Sequence, residues 1–129
     1  MTKNPTNVGL IIAAVPATMI ELVWGQVEPL IAAVVKRAHD EITVETVKQS
    51  LMSGRVLLVT VSEGQTIIAV NTVEVRDFDS GKRALYIPIT SGTRLDEWMP
   101  RFLEIAKALA KDHNCDELRG ISIRKGWMK

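Results

Sequence analysis

The stretch from Tyr86 to Trp98, YIPITSGTRLDEW, constrains this chain more than any other. β-rich residues run through a small-residue loop at Gly92 into the start of an amphipathic helix. Such a junction can hold an anion, because the first N–H groups of a helix have no internal partner and the helix dipole adds partial positive charge there. The pattern also describes an ordinary capped helix start, and a lone glycine does not decide between the two. The stretch constrains topology as well. A strand followed by a long helix and then another strand returns by a right-handed crossover, so the strands flanking the helix should be parallel.

In chain order, residues 8–15 form a continuous apolar run that ends at Pro16 and reads as a strand. The first helix is expected from near Gly25, with Pro29 in its first turns, where proline costs least. Val27, Leu30, Ile31, Val34, Val35 and Ala38 supply its apolar stripe. Thr43 is a good N-cap for a shorter helix that buries Val44, Val47 and Leu51, with Gly54 as a left-handed end. Residues 56–61 are nearly all apolar and predict a strand covered on both faces. Glu63-Gly64 turns the chain into a return strand over residues 65–76. There Thr72, Glu74 and Arg76 alternate with Val73 and Val75, so one face should meet solvent.

Asp79-Ser80-Gly81-Lys82 is a second turn, and residues 83–90 form the next strand. Pro88 lies inside it, so its missing donor should face an edge, a bulge or a gap between strands. The long helix should start at Thr93 or Asp96 and end at His113. Leu95, Trp98, Phe102, Ile105, Ala106 and Leu109 lie on its apolar face, Pro100 favours the later start, and Glu97 can pair with Arg101. Asn114 can adopt the left-handed cap, residues 118–123 make a last strand, and residues 124–129 are a basic tail.

The fold class is therefore α/β (α+β), in the order β-α-α-β-β-β-α-β. Three antiparallel strands and a parallel last pair form a mixed sheet with helices on its faces. In open sheets ligands sit beyond the carboxyl ends of parallel strands, which here converge on residues 90–94. A length of 129 residues suits a single domain, residues 1–129, with a loose polar start at residues 1–7. Cys115 is the only cysteine, so an intrachain disulfide and a cysteine zinc cluster are excluded, and no metal site is expected. A net charge of +1 gives no built-in attraction to nucleic acid or membrane. Residues 8–20 faintly resemble a signal peptide but are too short to span a bilayer and are interrupted by Pro16, so no signal peptide or transmembrane segment is expected.

Glu74 and Glu41 are the carboxylates that could serve as a base, with Glu74 expected on the polar strand face. Tyr86, the only tyrosine, lies on the strand entering the loop, where packing with its hydroxyl at the rim competes with a catalytic role. His39 and His113 each end a helix, a position that favourable contact with the dipole explains. Cys115 has no neighbouring base in sequence. Arg124, Lys125, Trp127 and Lys129 could stack on single-stranded nucleic acid or anchor a protein partner, and their small footprint disfavours nucleic acid.

Three blocks carry a family resemblance: WGQVEPLIAAVVKRA at residues 24–38; residues 43–69 with SLMSGRVLLV; and residues 92–127 with RLDEWMPRFLEIAKALAKDHNC and RKGW. Together they resemble the GNAT acetyltransferase superfamily, and more specifically small GNAT-like proteins of tailed bacteriophages. The resemblance implies a splayed pair of parallel strands gripping the pantetheine of an acyl coenzyme A. It implies a pyrophosphate held by the loop of Thr90, Ser91, Gly92, Thr93 and Arg94, while Glu74 and Tyr86 stay the catalytic candidates on their strand positions. The superfamily's usual loop reads Gln/Arg-x-x-Gly-x-Gly/Ala, whereas Gly92 stands alone here. The family also continues into a further helix and two strands, so the chain resembles a C-terminally truncated member. Two functions follow as expectations. One is a non-catalytic interaction protein, a virion or assembly component in the phage or the host cytoplasm, with other phage proteins or its own copies as partners through Arg124, Lys125 and Trp127. The other is an acetyl-CoA-dependent N-acetyltransferase that completes its site by oligomerising.

Overall fold

The computed structural model describes residues 9–37 and 42–120. Strand β1 is Leu10–Val15, and a short 3-10 turn at Ala17–Met19 leads into helix α1, Ile20–Val35. Helix α2 is Val44–Met52, and strands β2, β3 and β4 are Leu57–Glu63, Thr66–Asp77 and Arg83–Gly92. Helix α3 is Leu95–Asp112 and strand β5 is Glu117–Gly120. The strands form one sheet in the order β1-β2-β3-β4-β5. Neighbours from β1 to β4 are antiparallel, and β4 and β5 are parallel. This is the mixed sheet expected from the sequence.

Helices cover both faces. On one, Val59, Val61, Ala69 and Ile87 pack beneath Trp98 and Phe102 of α3. On the other, Leu58, Val70 and Ile89 pack beneath Ile20, Val27 and Ile31 of α1 and Leu51 of α2. Alternate residues of β2 thus enter different cores, which is why its sequence is almost unbroken apolar. Fully burying one such Val, Leu or Ile contributes about 1.5–3 kcal/mol.

The local signals at α2 act as expected. Thr43 and Thr46 exchange side-chain-to-backbone hydrogen bonds in a capping box, and Gly54 follows at φ 82°. Asn114, at φ 57°, closes α3. The Cys115 N–H donates to the Ala110 carbonyl at 2.8 Å and the Asn114 N–H to that of Lys111 at 3.1 Å, the two bonds of a Schellman end.

Both long helices start differently from expectation. Helix α1 begins at Ile20 rather than near Gly25, because its stripe extends back to a fully buried Ile20. Pro29 is therefore in the helix interior, where it removes one backbone hydrogen bond. The stretch Ala17–Val35 is long and apolar enough to cross a membrane by length and composition. In the fold its stripe lies on the sheet, and the Gln26 Oε1 accepts the Ile67 N–H at 2.8 Å. Helix α3 begins at Leu95, after Arg94 in the left-handed region at φ 58°, so neither Thr93 nor Asp96 is its cap and Pro100 lies within it. Met99 and Leu103 join its buried face, while Ile105 is left outside. Glu97 pairs with Arg94, not Arg101, whose guanidinium donates to the Leu10 carbonyl at 3.2 Å.

The expected solvent face of β3 is largely covered. Thr72 and Glu74 are buried, Arg76 on the same face is exposed as expected, and Val75 on the opposite face is exposed as well. The segment from α2 to Val56 roofs this part of the sheet, a long-range arrangement that strand alternation cannot report. Pro88 does sit at a bulge. Thr72 pairs with Ile89 and Glu74 with Tyr86, so Ile87 and Pro88 together oppose Val73. Beside it, β4 and β5 pair in parallel from Ala84↔Glu117 to Ile87↔Gly120. The divergence expected near residue 90 involves positions after 120, outside the described residues.

Candidate functional site

The bulge opens a cavity of about 170 Å³ on the α2 side of the sheet. Pro88 and Ile89 form one wall, Val47 and Val56 another, and Arg55, Glu74 and Arg76 its polar rim. Only 9% of Glu74 is exposed. Its Oε2 accepts a hydrogen bond from Arg55 Nη1 and its Oε1 one from Arg76 Nη2, each at 3.2 Å. Arg55 is held from behind by Ser50, whose Oγ accepts from Nη2 at 2.6 Å. Arg76 lies 4.0 Å above the centre of the Tyr86 ring, a cation–π contact. The two catalytic candidates, Glu74 and Tyr86, are thus cross-strand partners linked through Arg76. The rim holds two guanidiniums to one carboxylate, so it carries an excess of positive charge.

The five expected cofactor residues form a different environment. Thr90, Ser91 and Gly92 are the end of β4 rather than a loop, and Thr90 and Ser91 are buried. Thr90 Oγ1 donates to Asn71 Oδ1 at 2.9 Å, and Asn71 Nδ2, fully buried, has no protein partner. Gly92 has φ 141°, and a Cβ there would fall on Ala69 and on the Ile68 carbonyl of β3. That close approach accounts for the glycine without any ligand. Thr93 is clamped at both ends: its N–H donates to the Ile68 carbonyl at 3.1 Å and its carbonyl accepts from Trp98 Nε1 at 2.8 Å.

Arg94 closes the junction. Its Nε and Nη2 donate to the two carboxylate oxygens of Glu97, both at 2.9 Å, and its Nη1 lies 2.9 Å from Glu63 Oε1. Hydrogen bonding to Glu97, and then to Glu63, holds the Arg94 guanidinium above its ordinary range, and the same contact holds the Glu97 carboxyl below its own. All three side chains remain partly open to solvent.

The remaining candidates are not drawn into either cluster. The His113 carbonyl accepts from Arg83 Nη1 at 2.8 Å, and the residue ends α3. Burial pushes the Cys115 thiol up, away from thiolate reactivity. His39, Glu41, Arg124, Lys125 and Trp127 lie outside the described residues. Among the described residues no group of His, Cys, Asp and Glu could hold a metal ion. The sequence reading missed Arg55 and Arg76 as site residues. Arg76 carried a usable signal, since it lies two positions after Glu74 and so on the same strand face. Arg55 follows a helix end and carried none.

In sequence, no family model and no curated protein matches this chain. In structure it is similar to a ribosomal-protein-alanine N-acetyltransferase from Brucella melitensis biovar Abortus 2308, at TM-score 0.64 and 12% identity over 90% of this chain and 82% of that one. It is similar to a GNAT family acetyltransferase from Staphylococcus aureus, at TM-score 0.63 and 14% identity over 92% and 90% of the two chains. It is also similar to a predicted acetyltransferase from Clostridium acetobutylicum with acetyl-CoA, at TM-score 0.64 and 15% identity over 91% and 83%. At such identities the likeness is one of fold: the chain has the mixed sheet and helix order of the GNAT acetyltransferases.

Proposed function

We propose that this domain is an acyl-coenzyme A-dependent N-acyltransferase, with the acyl group delivered at the β4 bulge. The observation that carries the proposal is the combination at Pro88. There the β3–β4 ladder is interrupted, β5 runs parallel alongside, and a cavity with a buried carboxylate opens onto the same backbone. The structural relatives are acetyltransferases, and one was solved with acetyl-CoA, which supports this reading over a purely structural role.

An acyl coenzyme A supplies an acyl group activated as a thioester. The chain supplies positioning and charge. Thr90, Ser91, Gly92, Thr93 and Arg94 would lie along the pyrophosphate, with Arg94 as the cation. Thr90 and Ser91 are buried in β4 and the Thr93 N–H is bonded to Ile68, so the contact left to the chain is Arg94 once released from Glu97 or Glu63, and exposed ion pairs of this kind are weak enough to exchange. Glu74 would take up the proton of the acceptor amine through the lone pairs its arginine partners leave open, and Tyr86 would hold Arg76 in place. Self-association is part of the proposal: β5 is one of the sheet's two edges among the described residues, and a second copy placed there would cover that edge.

A non-catalytic interaction role, as a virion or assembly component of a phage, is the second reading. It is favoured by one observation: the Thr93 N–H and the Arg94 guanidinium are already engaged inside the protein. Titration of acetyl-CoA against melting temperature separates the two. The transferase reading expects a rise that grows as ligand exceeds its dissociation constant and shrinks in Arg94→Ala. An unchanged melting temperature at millimolar acetyl-CoA would overturn it in favour of the second.

A further inference from the structure

We infer that the cavity at the β4 bulge receives a small acceptor carrying a carboxylate next to its amine, an α-amino acid or a close analogue, and that it rejects polycationic amines. This inference rests on the transferase reading for its role in a reaction, but the binding site stands on its own geometry.

Size comes first. The cavity measures about 170 Å³, and an apolar cavity of about 150 Å³ admits benzene. A molecule of amino-acid size can enter, whereas most of an oligosaccharide or a folded peptide would have to remain outside. Charge comes second. Two guanidiniums and one carboxylate face the opening, so an anionic group is received and a second ammonium is opposed.

Preorganisation comes third. Arg76 rests on the Tyr86 ring and Arg55 is anchored on Ser50, so both cations are held before any ligand arrives. Their bonds to Glu74 are 3.2 Å long, looser than the 2.9 Å bonds that Arg94 makes to Glu97. A ligand carboxylate can therefore take a share of either guanidinium while Glu74 keeps a site for the amine. An α-amino acid carries its ammonium and carboxylate on adjoining atoms, which matches a carboxylate flanked directly by guanidiniums. Pro88 lines the same cavity, so a ligand bound there lies beside the bulge.

The test uses the purified chain without acyl donor, titrated with L-glutamate, with glycine and with spermidine, and followed by the backbone amide signals in NMR. Both amino acids should move the signals of residues 72–76 and of Tyr86, Ile87 and Ile89, and spermidine should leave them in place. Arg76→Ala and Arg55→Ala should each weaken L-glutamate binding by more than about tenfold. Spermidine binding at these residues, amino-acid shifts confined to other regions, or unchanged affinity in both variants would each overturn the inference. Acetyl-CoA binding together with acylation of spermidine would also overturn it while leaving the transferase reading intact. Amino-acid binding without any response to acetyl-CoA would uphold the site and remove its transferase role.

Discussion

Two clusters near β4 are built from the same residue types in inverse ratio. At the start of α3 one arginine, Arg94, lies between two glutamates, Glu63 and Glu97. At the bulge one glutamate, Glu74, lies between two arginines, Arg55 and Arg76. The first is partly open to water, its bonds are short, and its cation is neutralised. The second has a buried centre, longer bonds, and surplus positive charge. The sequence position that looks most like an anion site is thus the one whose cation is already occupied. The strand that reads as a polar solvent face holds the cluster better suited to a charged ligand. Helix-start geometry alone is a poor guide to where an anion can bind; the neighbouring side chains set the field there.

The contrast can be broken at several points. The largest effect should come from Gly92. Gly92→Ala places a Cβ against the Ala69 and Ile68 backbone at φ 141°, and should cost about 3 kcal/mol in urea unfolding. A loss below about 1 kcal/mol would show that β3 yields to the added methyl group. Because of this clash, substitutions at Gly92 report on folding before they report on a ligand, and Arg94→Ala is the better probe of phosphate.

Next in size, Glu74→Ala removes the buried carboxylate that bonds two largely exposed guanidiniums, and the loss of these charge-assisted hydrogen bonds should cost about 2 kcal/mol. Glu63→Ala, at the open cluster, should leave the urea midpoint unchanged within error. Equal losses from the two would erase the distinction between a buried and an exposed cluster.

The smallest effect is one of pH. The Glu97 carboxyl is held below its ordinary value of 4.5 mainly by its hydrogen bonds to Arg94. A depressed folded-state value stabilises the fold above the unfolded-state value, and this stabilisation is lost as pH falls through the folded-state value. Urea midpoints of the wild type and Glu97→Gln should therefore converge as the pH drops from about 5 to about 3, most visibly at low salt. Parallel curves would mean that the Arg94–Glu97 contact does not form in solution.

Much of the fold was legible because its signals are local. The Thr43 cap, the left-handed ends at Gly54 and Asn114, the turn at Gly81 and the bulge at Pro88 each follow from the chemistry of one or two residues. The helix starts were harder to read. Ile20 extends α1 because the sheet buries it, and α3 starts behind a left-handed Arg94 whose side chain is tied to Glu63, far back in sequence.

The candidate site divides along the same line. The sequence by itself determined the order of strands and helices, the parallel return of β5 and the presence of Glu74 and Tyr86 on adjoining strands, because periodicity and turn chemistry act over a few residues. Only the tertiary structure decided that Glu74 is buried between Arg55 and Arg76, that Gly92 yields space to β3, and that Arg94 is occupied. Those facts depend on which distant side chains share a volume, and charge and steric fit between such neighbours are settled only when the sheet and its helices close on one another.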